Sequence, residues 1–444
     1  MTEPLSSENI KTRLERIAKL AKDAPDMAFR SLARHIDIDL LREAYRRTRK
    51  DGAVGVDGQT SSQYAAALES NLESLLQRAK SGTYKPPPVR RVYIPKGRGK
   101  EMRPLGIPTF EDKILQRAVA LILEAVYEQD FYDCSYGFRP GRSAHHLLQD
   151  FWWASTRNAG GWVIEIDIQK YFDSIPHERL TEILRQRVVD GVLLRLIGRW
   201  IHAGVLERGV LTKSRAGTPQ GGVISPLLAN IFLHTVLDEW FDEVVKPRLV
   251  GRGWLFRYAD DAVLLFNNEQ DANRVLVALS KRFERFGLVL HPQKTRQVCF
   301  RRPDMILSER PGTFDLLGFT HFWSKSRSGK WLVHRRTAKD RFRRTLHRIE
   351  TYCKARRHDP IGVQQRTLAR MLNGHYAYFG ITNNVSSLIR LRDETERAWR
   401  KWLNRRSQNA RLDWEHFARV KRHYPLPRAR VVHSFQRTTS KLVI

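Results

Sequence analysis

A chain of 444 residues is long enough for two or three domains and a sizeable core, and its 41% hydrophobic and 28% charged residues are the usual balance of a folded protein. Its 78 Lys+Arg stand against 47 Asp+Glu, a formal net charge of +31 that would be self-repulsive alone and points to a polyanionic partner, most simply nucleic acid. The three cysteines, Cys134, Cys299 and Cys353, form no CxxC pair, which argues against a zinc ribbon or a disulfide framework and fits a reducing compartment.

The N-terminal segment has acidic residues early and no apolar core, so it does not read as a secretory signal, and Glu3 and Glu8 disfavour a mitochondrial presequence. Residues 1–80 read as helical, with apolar spacing in Leu40, Leu41, Ala44 and Tyr45, interrupted by the loop DGAVGVDG at 51–58. A proline-rich stretch then leads to a predicted hairpin, with PKGRGK (95–100) as the turn between Val92–Ile94 and Leu105–Ile107. A strongly apolar helix is predicted over 111–127. Its most apolar part, 118–126, is short and carries Glu124, so no membrane span is expected. Residues 162–300 alternate strand and helix: WVIEIDI, a helix after Pro176, a Gly-rich linker, a helix from Pro226, WLFRYADDAVLLF and a helix from Gln270. The pattern is α+β. Beyond Arg335 helices dominate, and SKSRSGK reads as a flexible connection, with a domain boundary at 325–335.

Two segments carry chemistry. In WVIEIDIQKYFD, Ile164, Ile166 and Ile168 alternate with Glu165, Asp167 and Gln169, the period of a half-buried strand with Asp167 on its open face near the end. Taken alone, Asp167 is equally a solvated carboxylate. In WLFRYADDAVLLF, two apolar halves flank Asp260 and Asp261 at a tight turn. Adjacent carboxylates repel unless a cation offsets them. Nucleotidyl transfer uses such a set to hold two Mg²⁺ ions about 3.5–4 Å apart, with phosphates and waters completing the oxygen ligands.

Here the sequence resembles a family. RYADD (257–261) looks like the YADD box of reverse transcriptases, and Asp167 with Phe172 looks like their preceding aspartate motif. Around them stand RVYIPKGRGKEMRPLGIP (91–108), YGFRPGRSAH (136–145), GTPQGGVISPLLANIFL (217–233), GLVLHPQKT (287–295), FDLLGF (314–319) and the N-terminal GVDG (55–58). Together they resemble the reverse transcriptases encoded by group II introns, over residues 40–430. The resemblance implies a right-hand polymerase: an N-terminal extension at 1–60, fingers at 61–161, a catalytic palm at 162–325 and a helical basic thumb or maturase domain at 335–444.

It also implies roles for particular residues. Asp167, Asp260 and Asp261 would be the catalytic Mg²⁺ ligands. Lys96 and Arg103, on the fingers hairpin, would meet the incoming triphosphate, and Lys294 would stand near it. Phe172 would sit under the sugar and exclude a 2′ hydroxyl, although core packing explains an aromatic there too. Gln220 would lie beside the templating pair, with Gly221 and Gly222 admitting close backbone approach. FDLLGF would grip the primer, or be one more core strand. The family usually has Asn where this chain has His291, which puts one local hydrogen bond in question.

The segment 335–444 holds 27 Lys+Arg and 8 Asp+Glu, a net +19. Phe342, Leu346, Ile349 and Cys353 recur at helical spacing, with Arg341, Arg344 and Arg348 on other faces, an amphipathic helix offering arginines to RNA. Tyr376 and Trp402, among further basic residues, read as core or as stacking groups. The larger relatives continue into an endonuclease with metal-binding cysteines. With no cysteine after Cys353, an endonuclease-lacking member is expected. No P-loop and no HExxH occur. The implied partners are RNA template and DNA primer, dNTPs, the group II intron RNA and target DNA, in a bacterial cytoplasm or nucleoid. A maturase without polymerase activity and a defence-associated reverse transcriptase are the alternatives.

Overall fold

The computed structural model describes residues 4–95, 102–207, 210–212, 217, 221–305, 311–326, 328–407 and 412–435. The chain divides into two compact units, residues 1–147 with 163–297 and residues 148–162 with 298–444.

The first unit begins with α1 (Pro4–Asp23), α2 (Ile38–Arg47), α3 (Ser61–Ala65) and α4 (Leu68–Ser81). The Asp37 side chain caps α2, and Thr60 with Gln63 forms a capping box on α3. Leu40, Leu41 and Ala44 are buried, as their spacing predicts. β1 (Val89–Pro95) and β2 (Met102–Ile107) pair antiparallel with Val92 opposite Leu105, the predicted hairpin. Its turn at 96–101 lies outside the described residues. The apolar helix α5 (Phe110–Tyr127) follows, capped by Thr109, and the break between the units at 147/148 falls within α6 (Ala144–Arg157).

After α6 come β3 (Trp162–Ile166), the single turn α7 (Tyr171–Ser174), α8 (His177–Arg187) and α9 (Gly191–His202), then β4 (Val205–Glu207) and β5 (Val210–Thr212). α9, β4 and β5 lie before and within the stretch read as a linker. β4 pairs parallel with β1, so one sheet runs β2-β1-β4-β5. α10 (Ser225–Leu233) passes directly into a π-helical segment, His234–Val245. β6 (Gly253–Tyr258), β7 (Asp261–Phe266), α11 (Glu269–Arg285) and β8 (Arg296–Cys299) complete a second sheet of order β6-β7-β3-β8. Ile164 and Ile166 of β3 are buried, as their alternation requires.

In the second unit β9 (Phe314–Leu316), β10 (Phe319–Lys325) and β11 (Trp331–Thr337) form a sheet of order β11-β10-β9. SKSRSGK, expected to be a flexible connection, instead joins β10 to β11, and residues 331–335 are strand. Ser326 N–H donates to the Lys330 carbonyl, and Gly329 supplies the positive φ that the turn requires. Phe314, Leu316 and Phe319 of FDLLGF are buried, as core strand residues are. Four helices follow: α12 (Lys339–Ala355), α13 (Ile361–Phe379), α14 (Val385–Leu403) and α15 (Trp414–His423). Their core includes Ile349, Cys353, Leu372, Tyr376, Trp399 and Phe417. Tyr376 is thus core, while Trp402 packs half-buried at the margin. Among the described residues no helix is long and apolar enough to cross a membrane.

Candidate active site

The acidic turn is built by pairing Tyr258 with Asp261, which leaves Ala259 and Asp260 as a two-residue hairpin loop. Ala259 takes φ +56, a conformation that disfavours a side chain, so its surroundings must hold it there. They do so from two directions. The backbone of the YGFRPGR segment lies against the turn so closely that a Cβ on Gly137 would overlap the Ala259 amide nitrogen. From the core side, Arg257 donates to the Ala259 carbonyl at 3.2 Å.

Arg257 is fully buried, and its remaining donors are all matched. Its Nε and Nη2 fork onto Asp238, with Nε–Oδ1 at 2.7 Å, while Nη1 meets Asn230 Oδ1 at 2.9 Å and Nη2 meets Ser135 Oγ at 2.7 Å. Asn230 in turn donates to the Gly137 carbonyl at 2.6 Å. The neighbouring guanidinium keeps the Asp238 carboxyl below the usual range despite burial, and the Asp238 charge raises Arg257 against the same desolvation. Sequence reading gave none of Arg257, Asp238, Asn230 or Ser135 a role. A charged residue inside the apolar run WLFRY was the available signal.

Asp167 follows β3 directly and is about one-third exposed, at 37% of its side chain. The segment after α11 fixes its backbone: His291 N–H donates to the Asp167 carbonyl at 2.8 Å, and Gln169 N–H to the Val289 carbonyl at 2.8 Å. Lys294 Nζ lies 3.3 Å from Asp167 Oδ2. His291 Nδ1 accepts the Gln293 amide at 3.3 Å, an i to i+2 bond of the kind an Asn side chain makes in a turn, so a local bond survives the change of residue.

Burial pushes the Asp260 carboxyl above its usual range, and the Asp167 charge adds to that rise, while Arg103 and Arg257 oppose it. Asp167, Asp260 and Arg103 thus share one electrostatic neighbourhood. Asp261 opens β7 and is exposed. Among the described residues no three His, Cys, Asp or Glu side chains gather closely enough to hold a metal ion by themselves. The donor chemistry still fits a hard divalent cation. Two mutually repelling carboxylates supply oxygen ligands, and Mg²⁺ sites of this class draw the rest from phosphates and water.

Other expected residues are placed as follows. Phe172 is half-buried in α7 beside Tyr171, with ring centroids 5.5 Å apart. Lys96 and Gln220 lie outside the described residues. Gly221 sits on β2, where a Cβ would come within 2.7 Å of the Gly106 carbonyl oxygen. In the second unit Arg341 and Arg348 are exposed on α12, but Arg341 and Arg344 both lean on Asp340, at 3.6 and 3.4 Å. Exposed pairs of this kind hold their partners weakly, leaving the arginines available to a stronger anion.

Residues 94–332 match the family model described as reverse transcriptase (RNA-dependent DNA polymerase). The group II intron-encoded protein LtrA of Lactococcus lactis subsp. cremoris is 42% identical over 224 residues, 50% of this chain and 37% of that protein. Protein YkfC of Escherichia coli K12 is 40% identical over 282 residues, 56% of this chain and 74% of that protein. Nuclear intron maturase 4, a mitochondrial protein of Arabidopsis thaliana, is 25% identical over 293 residues, 61% of this chain and 35% of that protein. The match to LtrA thus spans well under half of that protein's length. With the family match covering more than half of its residues and both carboxylate motifs inside it, the chain belongs to the reverse transcriptase (RNA-dependent DNA polymerase) family.

Proposed function

We propose that the chain is an RNA-directed DNA polymerase that extends a DNA primer with dNTPs on an RNA template, and that it serves a group II intron as maturase and in insertion into target DNA. The observation that carries the reading is the placement of Asp167, directly after β3, and of Asp260, on the braced turn that leads into the neighbouring strand β7, both inside the matched region. A pure RNA-binding protein has no use for clustered carboxylates in a strongly basic chain. On this reading the first unit holds fingers and palm, and the basic helices α12–α15 act as the thumb.

Asp167 and Asp260, with Asp261, would hold Mg²⁺. When bound, the two ions would activate the primer 3′ hydroxyl and neutralise charge on the leaving pyrophosphate. The protein's own part is mainly placement. Arg257 and Gly137 keep the acidic turn in its strained form, so the carboxylates need no reorganisation during reaction. Arg103 and Lys294 would counter the triphosphate charge, with Lys96 and Gln220 beside the substrate. Phe172 would press on the sugar and discriminate against a 2′ hydroxyl.

The test is primer extension by the purified chain on an RNA template, with Mg²⁺ and then with chelator. Synthesis that needs the metal supports the reading. Extension that persists in full when Asp260 and Asp261 are both changed to Asn would falsify the site assignment.

A further inference from the structure

Outside the acidic turn, the first turn of α5 holds a further buried carboxyl, enclosed by side-chain donors. Asp112, in the first turn of α5, is 1% exposed. Its Oδ1 accepts from the Tyr84 hydroxyl at 2.8 Å and the Trp200 indole N–H at 2.6 Å, and its Oδ2 accepts from the Gln116 amide at 2.9 Å. A carboxylate only accepts, so it decides which end of the Gln116 amide faces it. The NH₂ group turns to Asp112, and Oε1 is directed to the chain entering α10. There it accepts the Val223 N–H at 2.8 Å and, at a longer 3.4 Å, the Ile224 N–H.

α10 starts without a side-chain cap from its own N-cap residue, Ile224. Just upstream, Gly221 is seated on the Gly106 carbonyl of β2, the strand that carries Arg103. Downstream, α10 presents Asn230 to Arg257 and Gly137. Gln116 therefore stands at the joint between Gly221–Gly222 and the helix that braces the acidic turn. A cavity of about 10 Å³, lined by Asp112, Gln116, Gly222 and Ser225 among others, has room for about one water at this joint.

We propose that Gln116, oriented by Asp112, is a positioning residue for polymerisation: it fixes the entry of α10 next to Gly221, which is seated on the strand of Arg103, and so governs use of the incoming nucleotide. The inference rests on the polymerase reading above. Gln116 touches no reacting atom. It acts through two backbone amides.

Two substitutions separate this role from simple space-filling. Gln116→Leu keeps bulk but removes both halves of the clamp. Gln116→Glu restores the clamp only when protonated, since its O–H then donates to Asp112 while its carbonyl accepts from Val223. When both carboxyls ionise they repel at hydrogen-bond distance. Burial already pushes Asp112 up to about 6, so the pair should retain a shared proton in mildly acid solution and lose it in alkaline solution.

The experiment measures kcat and KM for dNTP across pH, with amide hydrogen exchange at 221–224 in each variant compared with the unaltered chain at the same pH. Gln116→Leu should raise KM about tenfold at every pH, with the smaller change in kcat, and should speed exchange at Val223 and Ile224 while the core of α5 stays protected. Gln116→Glu should match the unaltered chain near pH 6 and approach the Leu variant in alkaline solution. Identical pH profiles for the two variants, or unchanged exchange at Val223 and Ile224, would overturn the inference. Absence of primer extension by the unaltered chain would sink the polymerase reading instead, and the exchange comparison then decides the clamp by itself.

Discussion

The two units bury arginine in opposite ways. Arg257 in the first and Arg335 in the second are both fully enclosed. Arg257 meets a carboxylate, an amide, a hydroxyl and a carbonyl. Arg335 donates to the Leu148 carbonyl at 3.2 Å and lies 4.0 Å over the Phe435 ring, but its Nε and Nη2 find no acceptor among the described residues. Burial accordingly pulls its guanidinium down to about 9, still charged at neutral pH. Its cross-strand neighbour His321 is buried too, stacked on Phe314 at 5.0 Å, and burial together with the Arg335 charge holds the ring well below its usual value, hence neutral. The first unit is organised by satisfied charge, which gives precise placement to a strained turn. The second is organised by apolar packing, and the bulk of its positive charge lies on helix surfaces.

The largest effect should come from the first unit's chemistry. Asp260→Asn should lower primer extension about a thousandfold or more while the thermal unfolding midpoint holds or rises, because a half-buried, repelled carboxylate is replaced by a neutral amide. Loss of fold in that variant would mean Asp260 is structural.

Next in size, Asp238→Asn strands the Arg257 charge in the core and should cost roughly 3–5 kcal/mol by denaturant unfolding. Replacing both residues by apolar ones of similar volume should recover most of that stability but not the activity, since the acidic turn loses its brace. Equal losses in both measurements would show that Arg257 serves the fold alone.

In the second unit, changing Arg341, Arg344 and Arg348 together to Gln should leave stability nearly unchanged. The variant should flatten the dependence of RNA affinity on salt by about 0.7 in slope for each phosphate that is no longer neutralised. An unaltered slope would place the RNA track elsewhere.

Smallest of all, Arg335→Met should change stability by no more than about 1 kcal/mol, because the lost stacking is offset by removing a poorly matched buried charge. A loss as large as that for Asp238→Asn would mean that the Arg335 charge is matched as well as that of Arg257.

The same contrast explains which features are legible in the sequence. Local periodicity reveals itself there. The isoleucines around Asp167, the turn at Ala259–Asp260, the β1–β2 hairpin and the apolar stripe of α12 can all be read, because neighbours within a few residues decide them. The β10–β11 hairpin reads as a linker because Ser, Lys, Arg and Gly suit an exposed turn and a tether equally well. β4 and β5 escape because strands of three residues, joined to the sheet through a distant partner, β1, carry little pattern of their own. The long-range polar bonds leave the least trace. Arg257 and Asp238 lie 19 residues apart, Gln116 and Val223 107, and nothing in local composition links either pair.

The π-helical stretch after α10 sets the aim of Asp238. An α-helix advances about 100° per residue, so Asn230 and Asp238, eight positions apart, would diverge by about 80° on an ordinary helix. The wider turns of His234–Val245 advance less and bring both side chains to one guanidinium. Chain length is therefore a functional variable here. Inserting one residue between 234 and 237 would preserve every side chain of the acidic turn, yet swing Asp238 off Arg257 and take away the brace of that turn.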